Sequence, residues 1–220
     1  MIEASNSCVA RESILGSIRK NLEISKGKAP LPEHPSLHRL ASVGSELDLS
    51  TDLIDAFQLN ALSVGASCHV GSVRSAGEYI QDLARNRSLR NAANSDSPLV
   101  RSVLGPINRL TFSADMTKGD LFEASLGITE AQWGIAETGT LVLDAGAERG
   151  RLASLIPPIH VCLIRAEQIV KALSEILSLI SRDLSPAVTF ITGPSRTSDI
   201  ELTLCIGVHG PGELHILVIE

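Results

Sequence analysis

Apolar positions along this chain fall into two periods, one helical and one strand-like, that alternate through most of its length. Ile14, Leu15, Ile18 and Leu22 recur at helical spacing, with Arg11, Glu12, Arg19 and Lys20 elsewhere on the surface, which predicts a helix over about Val9–Leu22. Ser25 to about Ser50 holds Pro30, Pro32 and Pro35 with little periodicity and reads as an extended connection. From Thr51 the pattern predicts helix over Thr51–Val64, strand over Ser67–Gly71 and helix over Ala76–Asn86. Pro98–Leu104 and Arg109–Phe112 read as short strands about Gly105-Pro106, and Leu126–Thr129 and Ile135–Leu143 as apolar strands. After Pro157-Pro158 come a strand over Ile159–Arg165, a helix over Glu167–Ser181, a strand over Ala187–Thr192, a helix over Ser198–Ile206 and a last strand over Leu214–Ile219.

Strands separated by helices imply an α/β fold: a mainly parallel sheet with helices on both faces. The expected organisation is an N-terminal helix with its Pro-containing connection over residues 1–50, then a single α/β domain over 51–220. In such sheets ligands sit outside the carboxyl ends of strands, and Gly193–Thr197 follows one predicted end.

Composition narrows the function classes. Hydrophobic residues make up 44% of the 220 but aromatics only 3%, so the core is aliphatic. A net charge of −6 without a basic tract argues against nucleic-acid binding. Cys8, Cys68, Cys162 and Cys205 show no paired spacing, so neither a metal site nor a self-contained cluster is expected. The polar, acidic start and scattered thiols point to a cytoplasmic address. The longest stretch free of Asp, Glu, Lys and Arg, Ala56 to Val73, is too polar for a membrane span.

Four phrases carry candidate chemistry. In Ala136-Glu-Thr-Gly-Thr140, a carboxylate and two hydroxyls interrupt an apolar run. They read either as groups aimed into a site, with Glu137 as base, nucleophile or anchor, or as a turn with Gly139 forming a bulge. Around Pro157-Pro158, Arg151 can complement a ligand's charge, Ser154 lies beside it, and His160 can either transfer protons near neutral pH or, the favoured reading, be structural. In Gly193-Pro-Ser-Arg-Thr197-Ser-Asp199-Ile-Glu201, Ser198 and Glu201 have capping-box spacing, so Ser195, Arg196 and Thr197 are placed at a helix start that either attracts an anion, the favoured reading, or is only well capped, with Asp199 and Glu201 complementing the dipole. Gly207-Val-His-Gly-Pro211 sets His209 in a glycine-rich loop where it can reach a ligand.

Together and in this order, the four phrases resemble the lactate-utilisation protein C family over roughly Gly127 to Glu220; Cys205 stands where a plain aliphatic is expected. The resemblance implies a fold like that of the sugar-phosphate isomerase and CoA-transferase group. It also implies a non-cluster subunit or accessory of a bacterial system that oxidises L-lactate to pyruvate. The chain would bind a small carboxylate or phosphate-bearing ligand and no cofactor of its own, and iron–sulfur clusters would reside in its partner proteins. By position, the site carried over comprises Glu137, Thr138, Thr140, Arg151, Ser195, Arg196, Thr197, Asp199 and His209. Two other functions fit the same residues: a stand-alone CoA-transferase-like or sugar-phosphate-handling enzyme using Glu137, and a structural or regulatory partner protein.

Overall fold

The computed structural model describes residues 3–25, 52–107, 110–113, 118–145, 151–180, 185–198, 204–206 and 210–220. The chain divides into two compact units, 1–36 and 37–220. The first carries one long helix, α1 (Glu3–Ser25). Its predicted apolar face is largely open, with Ile14 and Ile18 exposed.

The first described element of the second unit is α2 (Leu53–Ser63), started by Asp52, whose carboxylate accepts the Ile54 amide at 2.8 Å. Then follow β1 (Ser67–Gly71), α3 (Val73–Asn86), β2 (Asn91–Asn94), α4 (Pro98–Leu104), β3 (Thr111–Ser113) and α5 (Lys118–Glu123). The second half contains β4 (Leu126–Glu130), β5 (Trp133–Ile135), β6 (Thr140–Asp144), a 3-10 turn (Arg151–Ser154), β7 (Ile159–Arg165), β8 (Ile169–Val170), α6 (Leu173–Ile180), β9 (Val188–Ile191), β10 (Arg196–Ser198), β11 (Leu204–Ile206) and β12 (Glu213–Ile219).

Six strands form a parallel sheet in the order β1-β12-β7-β4-β2-β3. Its two faces follow from strand alternation. Val161 and Leu163 of β7 join Leu126, Ile128 and Leu217 in a core with Ile80 of α3 and Val100 of α4. Cys162 and Ile164 face the other way, into a core with Ile216, Val218 and Phe57 of α2. Leu141 and Leu143 share this second core; they belong to β6 of a four-stranded sheet, β8-β5-β6-β9, laid over the first. The far side of that sheet, at Ile135 and Val142, is covered by Ile176 of α6. The fold is thus α/β with a mainly parallel sheet, helices on both faces and a second sheet added on one.

Several elements differ from their sequence reading. Pro98–Leu104 is a helix: the Ser97 hydroxyl accepts the Val100 amide at 3.0 Å and Pro98 sits at the tolerant first turn. Its buried residues Leu99, Val100, Val103 and Leu104 have helical spacing, which the run of apolar residues concealed. Glu167–Ser181 is not continuous helix; Ile169–Val170 pairs with Gly134–Ile135, and α6 begins only at Leu173. Ile135–Leu143 is broken by a turn at 136–139, where Gly139 takes φ +62° and packs against the backbone of Asn60 and Ala61, leaving no room for a side chain.

The largest correction concerns Ser198–Ile206. Arg196, Thr197 and Ser198 pair antiparallel with Ile206, Cys205 and Leu204 as β10 and β11, so both ends of the expected helix are strand, and residues 199–203 lie outside the described residues. Leu202, Leu204 and Ile206 alternate with Thr203 and Cys205. That two-residue period outweighs a four-residue capping signature. No described helix is long and apolar enough to cross a membrane.

Candidate functional site

Two backbone bonds frame a cleft where the second sheet meets the amino ends of β7 and β12. The Ser195 amide donates to the Pro211 carbonyl at 2.8 Å, and the Gly212 amide to the Pro158 carbonyl at 2.9 Å. These bonds draw the segments after β9, before β12 and before β7 into one rim. The enclosed space, about 310 Å³, is lined by Ser154, His160, Thr192, Ser195, Arg196 and Gly210, among others.

Ser154 is buried and closes the 3-10 turn after Arg151. That turn lies tight on β4: a side chain at Gly127 would run into the Ala153 carbonyl. Ser195 follows Gly193, whose φ of +76° brings its backbone against Val64. Arg196 is exposed, and its guanidinium donates to the Val64 carbonyl at 2.6 Å. This bond across 132 positions of sequence anchors the cation at the cleft without neutralising it.

His160 is buried like Ser154, 1% exposed. Its Nε2 lies 2.8 Å from Thr129 Oγ1. Thr129 Oγ1 is 3.6 Å from Cys162 Sγ, which in turn is 3.7 Å from the Leu163 carbonyl oxygen. Nδ1 of His160 is buried and has no hydrogen-bond partner. Burial, with a smaller contribution from His215, pushes the pKa of His160 down to about 3, so the ring is neutral at physiological pH.

The remaining predicted residues are placed as follows. Glu137 lies in the 136–139 turn and its Oε1 accepts the Leu173 amide at 2.9 Å, capping the start of α6; it is not among the residues lining the cleft. Thr138, Thr140 and Thr192 form a hydroxyl chain, with oxygens 2.7 Å apart at each step, so Thr140 reaches the cleft wall through Thr192. Arg151 opens the 3-10 turn, but its side chain lies outside the described residues. Thr197 pairs with Cys205 in the hairpin, its side chain likewise outside; Asp199 and His209 lie outside the described residues altogether.

Sequence reasoning therefore brought Ser195 and Arg196 to the site and placed Ser154 nearby, but it read His160 as structural and passed over Thr129 and Thr192. One signal was available for Thr129: a hydroxyl in Leu-Gly-Ile-Thr, an apolar segment that is buried throughout. Of the thiols, Cys68 and Cys162 are buried and in no disulfide, and burial raises Cys68 to about 11. Among the described residues no group of three or more His, Cys, Asp or Glu is placed to hold a metal.

A parallel α/β sheet overlaid by a second, mixed sheet, with a hydroxyl-lined cleft at their junction, defines the class of this protein. Within that class the chain belongs to the LUD domain family, which matches residues 108–219. Lactate utilization protein C of Deinococcus radiodurans is 31% identical over 172 residues, 76% of this chain and 80% of that protein. An uncharacterised protein of Neisseria meningitidis serogroup B is 33% identical over 154 residues, 64% of this chain and 66% of its own length. Lactate utilization protein C of Bacillus subtilis is 36% identical over 95 residues, 40% of each chain. A crystal structure of a DUF162 family protein from Deinococcus radiodurans has the same fold, with TM-score 0.60 and 24% identity over 76% of this chain and 96% of that one.

Proposed function

We propose that this protein serves lactate utilization as a component, without clusters of its own, of a bacterial system that oxidises L-lactate to pyruvate, and that its cleft binds the small carboxylate. The observation that carries the proposal is the convergence of Ser154, His160, Ser195 and Arg196 on one cleft, in a chain similar over most of its length to a protein named lactate utilization protein C. Arg196 supplies a planar cation for a carboxylate at the mouth. The serine hydroxyls and His160 supply hydrogen bonds below it. Oxidation of lactate releases two electrons and two protons, which have to pass to an acceptor; iron–sulfur proteins are the partners proposed for that step. The capping bond from Glu137 to α6 favours this function over a transferase with Glu137 as nucleophile.

The test is direct. The full chain is titrated calorimetrically with L-lactate, pyruvate and inorganic phosphate, and Arg196→Lys and Ser195→Ala are compared at matched melting temperature. Arg196→Lys keeps charge but loses the fork, so carboxylate affinity should fall by about 10-fold with little change in folding. If no carboxylate binds the wild type, or if the variants lose stability without losing affinity, the cleft is not the lactate site. Co-purification from the native cell, followed by lactate oxidation with and without this chain, tests the partner assignment.

A further inference from the structure

We propose that the floor of the cleft is a hydrogen-bond acceptor, the Nδ1 lone pair of His160, and that the site therefore selects carboxylates bearing a hydroxyl over their keto counterparts. The inference rests on the cleft being the ligand site proposed above, and it assigns a specificity-determining role to a residue that also looks like core.

The direction of each bond beneath the cleft can be worked out from its far end. The Leu163 carbonyl can only accept, so the Cys162 thiol donates its proton there. Cys162 sulfur then accepts from Thr129, which commits the single hydroxyl proton of Thr129. Thr129 Oγ1 is left to accept at 2.8 Å from His160, so Nε2 carries the hydrogen. The ring is neutral, because burial holds its pKa at about 3, and a neutral imidazole has one N–H. Nδ1 is therefore a bare lone pair, buried and unpartnered on a residue that lines the cleft.

An acceptor left unmade in a dry setting carries a standing cost that a donor recovers on binding. A 2-hydroxy acid can provide that donor while its carboxylate meets Arg196. A 2-keto acid brings only a second acceptor, which faces the lone pair without a proton between them. The cleft should thus hold the reduced member of a hydroxy–keto pair and release the oxidised one.

Two measurements test this on the intact chain. Long-range proton–nitrogen NMR of histidine-labelled protein near pH 7 should show His160 protonated at Nε2 and bare at Nδ1. Calorimetry with L-lactate against pyruvate, and 2-hydroxybutyrate against 2-oxobutyrate, should favour each hydroxy member by about 10-fold. His160→Gln, whose amide can still reach Thr129 but offers no acceptor at Nδ1, should abolish the preference. Thr129→Val, which removes the group that fixes the tautomer, should erode it. A proton on Nδ1, or keto acids binding as tightly as hydroxy acids, overturns the proposal, and neither result depends on a variant folding. If neither pair binds but Nδ1 is bare, the lactate assignment fails while the acceptor floor is upheld.

Discussion

Acidification gives a quantitative check on the burial of His160. In the folded protein the ring stays neutral down to about pH 3, whereas the unfolded chain takes up a proton near the ordinary value of 6.5. Between those values the unfolded state binds one proton more, so stability is complete above pH 6.5 and falls as pH drops towards 3. Each pH unit in this window is worth about 1.4 kcal/mol, so near pH 4.5 the loss reaches about 2–3 kcal/mol. That is a sizeable part of the roughly 5–15 kcal/mol that holds a typical domain together. Urea unfolding followed by circular dichroism, at half-unit steps from about pH 7.5 to 4.5, measures it. His160→Gln removes the titrating ring and keeps the rest, including His215 and the surface carboxylates, so the difference between the two profiles isolates His160. The wild type should lose stability more steeply than the variant below about pH 6.5, and parallel profiles would refute a buried neutral ring.

Substitutions at three positions probe the fold and the frame of the site. Gly127→Ala forces a methyl into the Ala153 carbonyl and should cost about 1–3 kcal/mol in urea unfolding while weakening carboxylate affinity, because the turn bearing Ser154 has to move. Ser97→Ala removes the hydroxyl that caps α4 and should cost about 1 kcal/mol, with Ser97→Asp recovering most of it. Glu137→Gln retains an acceptor for the Leu173 amide and should leave both lactate affinity and folding near wild type, whereas Glu137→Ala should cost about 1 kcal/mol of stability; a Gln variant that folds and binds but supports no lactate oxidation would return Glu137 to the chemistry.

What the sequence made legible follows from where its signals are local. Ile159–Arg165 is a mostly apolar run buried on both faces, and Asp52 caps a helix whose buried residues repeat at helical spacing; such patterns need no knowledge of the rest of the chain. Asn91-Ala-Ala-Asn94 has no β-branched residue and gave no strand signal. It becomes one because β3 and β4 both pair with it, a tertiary decision that overrides propensity. At Ser198 two local signals compete, and the capping motif loses to pairing with Leu204, six residues on. At the site, glycines and charged residues marked Ser195 and Arg196. His160 looked structural because it is structural by burial; only the orphaned Nδ1 separates it from a satisfied core histidine, and that is a property of its surroundings.

The position of the cleft explains which residues carry its specificity. Parallel sheets commonly bind ligands at the carboxyl ends of strands, where helix N-termini offer free amides. Here His160 and Leu214 are the second residues of β7 and β12, so the cleft lies at the opposite, amino end of those strands. It exists because the four-stranded sheet overlies that end and β9 hands its chain on to Thr192–Arg196, which the Thr140–Thr192 bond and the Ser195–Pro211 bond hold in place. Its described lining comes from strand ends and the loops beside them, so affinity has to come from side chains rather than from a helix field. A guanidinium, a few hydroxyls and one imidazole then divide the work: charge at the mouth sets affinity for the anion, and the protonation pattern at the floor sets which anion it is. Substitutions at Arg196 should therefore shift all carboxylates together, while those at His160 and Thr129 should change their ranking.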